Sequence, residues 1–198
     1  MPKRPAGEII GSVLVLHCTQ KLLDAAGERG MGVVPDADPL DSWHANFFHW
    51  ERRKCVIAVN DRTLLPVLLF GVRKPQLADL PRAFRERFCS QLQERGVPSY
   101  IIDRVRRLYR DAHVTTTSDR SVVGSLNQFV YELKWVVANG RCGSPSSGTR
   151  EVDDFLWARA SLQIPEFRVA EALIEGFLAR FVEHGRPDLA EAKRMLRY

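Results

Sequence analysis

His44, Asn46, Arg52, Arg53, Asn60 and Asp61 all fall within WHANFFHWERRKCVIAVNDRT, residues 43–63. Together these residue types could work on an anionic substrate. His44 or Asp61 would accept a proton, and Arg52 and Arg53 would hold developing negative charge. Spacing decides which of them can meet. A hairpin centred between Arg52 and Arg53 puts the arginines and His44 at opposite ends of a strand about 20 Å long, at ~3.3 Å per residue. One hairpin does not gather them, and the plain reading of the arginines is a solvated turn. Asn46, Asn60 and Asp61 converge with His44 at the far end, which makes that end the better polar cluster.

A second set lies in TTTSDRSVVGSLNQ, residues 115–128. A strand rich in hydroxyl side chains runs into a helix start at Thr117, Ser118, Asp119, Arg120 and Ser121. A helix start offers free backbone N–H groups and the positive end of a dipole, which suit a phosphate or carboxylate. The plain reading makes Asp119 a helix cap and Gly124 a packing contact. Gly124 costs roughly 1 kcal/mol relative to Ala in a helix, so a close neighbour is expected there. An enzyme reading takes His44, Asp61, Asp119 and Asn127 as the catalytic candidates.

The third set is cationic. From Arg73 to Asp111, ten Lys/Arg face five Asp/Glu, an excess that equals the net charge of +5 for the whole chain. Its sharpest part is RVRRLYR. On a helix, Arg104, Arg106, Arg107 and Arg110 cover a broad face opposite Ile101, Val105 and Leu108. Arginine pairs bidentately with phosphate, so this face could hold a nucleic-acid backbone. The alternative is a solvated face that answers acidic residues such as EVDD at 151–154. No helix-turn-helix, RRM or KH signature accompanies the arginines.

Bulk composition narrows the rest. The 198 residues suit one ordinary domain with room for an appended piece. A mix of 45% hydrophobic and 27% charged residues argues against low-complexity disorder. No apolar run approaches the ~20 residues a membrane span needs, so a cytoplasmic protein without a membrane partner is expected. Cys18, Cys55, Cys89 and Cys142 form no CxxC and no Cys/His ligand spacing, so no metal site is expected and buried thiols are. Neither GxxxxGK[ST] nor GxGxxG occurs, and no cofactor is expected.

These residues must be positioned by an α+β fold. VLVLH at 13–17 and AHVTTT at 112–117 read as strands. Residues 45–70 read as a meander of three strands, and the whole is expected to form a small antiparallel sheet. Arg-Arg is poor chemistry for a two-residue primed turn, so the first loop is expected to be wider. Asn60-Asp61 suits the second turn, because Asn tolerates positive φ. Pro66 places the third strand at an edge or a bulge. Helices are expected from Thr19, from Leu80 behind an Asp79 cap, over 99–111, and from Ser118 or Ser121 onward. NGRCGSPSSGT at 139–149 reads as a linker between an α+β domain, 1–138, and a helical C-terminal extension, 150–198. The extension carries an apolar stripe at Phe167, Ala170, Leu173, Ile174, Phe177, Leu178 and Phe181. Docking in cis is its default. Segment 166–183 could equally meet a protein partner or a second copy.

WHAN, RRKCVIAVNDRT and DRSVVGSLNQF, with LHCTQKLLD before them, together resemble a bacterial domain family of unknown function, the one numbered 6933. The resemblance runs from about residue 12 to 137. It implies one domain and carries no activity. The leading expectation is therefore a small binding protein for nucleic acid or an anionic ligand through the basic helix. The rival is an enzyme acting on nucleic acid or a nucleotide, nuclease- or toxin-like. A third reading is an interaction module working through 166–183. Space separates the first two: an enzyme needs His44, Asp61 and Asp119 in one place.

Overall fold

The computed structural model describes residues 13–30, 37–117, 119–146 and 150–161. Its elements in chain order are β1 Leu14–Cys18, α1 Gln20–Ala26, β2 Ser42–Trp50, β3 Arg53–Asn60, β4 Pro66–Phe70, α2 Lys74–Ala78, α3 Leu80–Glu94, α4 Ser99–Leu108, β5 Ala112–Thr116, α5 Arg120–Ala138 and α6 Arg150–Ser161. The fold is α+β, with one five-stranded sheet in the order β4-β3-β2-β1-β5.

The sheet is mixed, which corrects the antiparallel expectation. β1 pairs parallel with both β2 and β5, while β2-β3-β4 is the antiparallel meander. The physical reason is connectivity. A tight hairpin can only reverse the chain, but α1 and its return loop carry it back to begin β2 in the direction of β1. Short apolar strands such as LVLHC are buried on both sides and do not announce their direction.

The first hairpin turn is also tighter than expected. Trp50 pairs with Arg53, so the loop is Glu51-Arg52 alone. Both residues take positive φ, 49° and 59°, as a primed two-residue turn requires. The register therefore moves by two residues, and Phe48 faces Cys55 where Ile57 was expected. A shift of two leaves every side chain on its expected face. The second turn is held by the Asn60 side chain rather than by positive φ at Asn60. Its Oδ1 accepts from Thr63 N and Thr63 Oγ1, and its Nδ2 donates to Leu40 O. The positive φ falls on Leu64 instead.

Helices cover both faces. On one face Trp43 packs edge-on against Phe84 and Phe88 of α3. Asp79 caps α3 by accepting from Arg82 N, and Gly96 takes φ 73° just past its end, as the sequence predicts. On the other face α5 lies against Asn46 and Phe48. β4 is an edge strand, consistent with Pro66. Its outward carbonyls are not left bare. Trp157 Nε1 of α6 donates to Pro66 O at 3.0 Å, and Arg87 Nε donates to Leu68 O at 3.0 Å. Val152, Leu156, Trp157 and Ala160 of α6 join the same apolar core as the sheet, so this part of the extension docks in cis. Segment 166–183 lies outside the described residues.

Candidate functional site

Parallel pairing builds the site. His17 of β1 stands beside His44 of β2 on one side and beside Thr115 of β5 on the other. Neighbours in register share a face, so the two imidazoles stack, with ring centroids 4.8 Å apart. Two chain ends then close in. Asp61 follows β3, and its backbone N–H donates to Ser42 O at 2.9 Å. This brings its carboxylate to 3.5 Å from His44 Nε2. Thr117 follows β5, and its backbone N–H donates to Cys18 O at 2.9 Å. Its hydroxyl reaches His44 Nδ1 at 2.8 Å.

Partner chemistry sets the proton positions. An ionised carboxylate only accepts, so the hydrogen of the neutral ring belongs on Nε2, facing Asp61. Nδ1 then accepts the hydroxyl proton of Thr117. The Thr117 oxygen in turn accepts the backbone N–H of Asp119 at 3.3 Å. The result is a carboxylate–imidazole–hydroxyl row, Asp61–His44–Thr117.

Electrostatics keep the ring neutral. His44 is 6% exposed. Burial lowers its pKa below the ordinary histidine value, and the pull of Asp61 and Asp119 in the other direction does not reverse this. His17 is lowered too, first by burial and then by His44 beside it. Asp119 is held below the usual carboxylate range by the backbone N–H groups of Val122 and Ser121.

A second layer of amides stands next to the row. Asn46 lies two residues beyond His44 on the same face, about 7 Å along the strand. Its Oδ1 accepts from Thr19 Oγ1 at 3.0 Å, and its Nδ2 donates to Asn127 Oδ1 of α5 at 2.8 Å. Thr19 makes this bond in place of a side-chain cap on α1.

His44, Asp61 and Asp119 thus come together, although they were drawn from two distant stretches, and Asn127 joins them through Asn46. Thr117, singled out for anion binding, belongs to the same row. The helix start has another occupant: Asp119 itself is the cap of α5, which is its plain reading, and neither Ser118 nor Ser121 takes that place. Its Oδ1 accepts from Ser121 N and Val122 N at 2.8 and 3.1 Å. Arg120 and Ser121 are exposed beside it, and Ser118 lies outside the described residues. Asn60 is buried in its turn and takes no part. Arg52 and Arg53 sit at the opposite hairpin end, as expected. The close neighbour expected at Gly124 is not found among the described residues, since a Cβ there would have nothing within 4 Å.

The sequence reading missed His17, Thr19 and Thr115. Their signal was the parallel register of β1 with β2 and β5, which no local pattern reveals. Cys18 and Cys55 are buried free thiols, and burial raises both, Cys18 to about 12, which disfavours the nucleophilic thiolate at each.

The basic helix stands apart. Arg106, Arg107 and Arg110 are exposed and Arg104 is half-buried. α4 ends before β5, whereas Thr117 follows it, so a strand of five residues, about 17 Å, separates Arg110 from the row. No described helix is long and apolar enough to cross a membrane.

Neither a curated protein nor a solved structure matches the chain. Residues 15–157 match the family described as Domain of unknown function (DUF6933), and that span reaches Trp157 of α6. The chain belongs to the DUF6933 family.

Proposed function

We propose that the chain is an enzyme of ester hydrolysis or group transfer, with His44 as its general base. The observation that supports this is the Asp61–His44–Thr117 row, in which a neutral imidazole accepts from a hydroxyl while a carboxylate faces its other nitrogen. In the first step Thr117 Oγ1 forms a bond to the ester carbon or phosphorus, and its proton passes to His44 Nδ1. The leaving oxygen takes that proton as its own bond breaks. Water then attacks the same centre and gives a proton to Nδ1, which returns it to Thr117 Oγ1 as the bond between that oxygen and the centre breaks. Asp61 stays ionised throughout and stabilises the transient imidazolium. Asn46 and Asn127 border the row and offer amide groups to a polar substrate. A nucleotide or nucleic-acid substrate is the phosphoester case of this reaction.

The test uses p-nitrophenyl acetate and bis(p-nitrophenyl) phosphate as chromogenic esters. At least one is turned over. His44→Gln lowers turnover by about 10²–10⁴, the usual contribution of a positioned base. Thr117→Val and Asp61→Asn also lower it, with melting temperatures kept close to the parent. Turnover lost in His44→Gln but kept in Thr117→Val makes water the nucleophile and leaves His44 as base. Absence of turnover for both ester classes sinks the proposal.

A further inference from the structure

α3 and the C-terminal end of α4 enclose an open cavity of about 310 Å³, lined by Arg85, Glu86, Arg106 and Arg110. Three of its four walls are guanidinium groups. Each is placed differently. Arg85 Nη1 donates to Tyr109 O at 2.8 Å and to Arg110 O at 3.4 Å, which anchors it to the carbonyls just past α4. Arg106 Nη1 touches Asp103 at 2.9 Å. Glu86 accepts from Arg82 Nε at 2.8 Å, so its charge is already answered. Arg110 has no side-chain hydrogen bond or ion pair with a described residue. A guanidinium carries five N–H donors, and the contacts above leave donors over on all three arginines.

Two arginines of α3 are engaged elsewhere. Arg87 pairs with Asp153, and Arg95 pairs with Asp154 and lies 3.7 Å from the Trp157 ring centre. The acidic EVDD segment therefore answers the α3 arginines that face α6, and the α3–α4 groove keeps a cationic excess, with three arginines against Glu86 in its lining and Asp103 on Arg106.

We infer that this groove is a binding site for a phosphate group. A volume of about 310 Å³ admits a phosphate with part of its carrier. Forked guanidinium donors on three side chains suit the several oxygens of a phosphate. The site is independent of the Asp61–His44–Thr117 row, because it lies beyond the other end of β5.

The test titrates the full chain with inorganic pyrophosphate, with a short 5′-phosphorylated single-stranded oligonucleotide, and with the same oligonucleotide lacking that phosphate. Pyrophosphate binds saturably at about 50 mM salt and more weakly at about 200 mM. Arg110→Glu and the milder Arg110→Gln weaken binding, the first by at least about tenfold, with melting unchanged. Arg107→Glu, outside the groove, changes it less than about twofold. Equal binding of pyrophosphate and the phosphorylated strand assigns the site to a phosphate group whatever carries it. Tighter binding of the phosphorylated strand than of its dephosphorylated twin assigns it to a nucleic-acid end. Failure of pyrophosphate to bind at low salt overturns the inference. So does an equal loss in Arg107→Glu and Arg110→Glu, which would mean charge spread over the helix face.

Discussion

His44 is pulled in two directions, by burial toward the neutral ring and by Asp61 and Asp119 toward the charged one, and burial prevails. An NMR titration of the ring protons is expected to give midpoints below 6.5 for both His17 and His44. A His44 midpoint above that value would show Asp61 outweighing desolvation. Stability follows the same sign. The unfolded chain takes up protons on these rings at higher pH than the folded chain does. Stability is therefore full above the unfolded value of about 6.5 and falls as pH drops below it. Denaturant unfolding at pH 7.5 and pH 5.5 should show the loss, and His17→Asn should shrink it. At this scale the residue types were readable from the sequence. His44, Asp61 and Asp119 are conspicuous polar residues beside apolar runs. His17 was not readable, since a histidine inside LVLHC gains meaning only from the strand laid beside it.

Elements show where local rules were overridden. The Glu51-Arg52 turn puts two ordinary residues in the left-handed region, at a cost of roughly 1–2 kcal/mol each. The strands themselves enforce it, since eight residue pairs between β2 and β3 outweigh the turn. Arg52→Gly is expected to raise unfolding free energy by up to about 1 kcal/mol, less whatever entropy the glycine adds to the unfolded chain. Gly124 presents the opposite case. It lies on the exposed side of α5 with open space around it, and nothing in the structure explains it. Gly124→Ala is expected to add about 1 kcal/mol, read as a higher denaturation midpoint at unchanged slope. A loss of stability there would reveal a contact that α5 makes with something outside the described residues.

The whole molecule depends on α6 to close its sheet. Trp157 is fully buried, with its ring N–H on an edge carbonyl of β4 and Arg95 stacked on its face. Trp157→Ala should cost about 3–5 kcal/mol. Trp157→Phe keeps most of the apolar contact and loses the hydrogen bond, about 1 kcal/mol. A chain ending at Gly148 would leave the β4 edge open to pairing with other chains. It is expected to melt lower and to associate in light scattering. A truncated chain that melts like the parent would reduce α6 to an ornament on a self-sufficient domain.

By itself the sequence determined the α+β class, the existence of most elements, that β4 is an edge or a bulged strand, and the residue types that could carry chemistry. Those follow from side-chain periodicity, caps and turn residues, which act over a few positions. It also determined which face of the hairpin each residue takes, because a register shift of two preserves alternation. Only the tertiary structure decided that β1 runs parallel between β2 and β5. That choice comes from contacts between segments far apart in the chain, where several pairings bury similar apolar surface. On it depends the meeting of His17, His44, Asp61 and Thr117. The same holds for the arginines. Their number was plain in the sequence, but which of them Asp153 and Asp154 would answer was settled by where α6 came to rest.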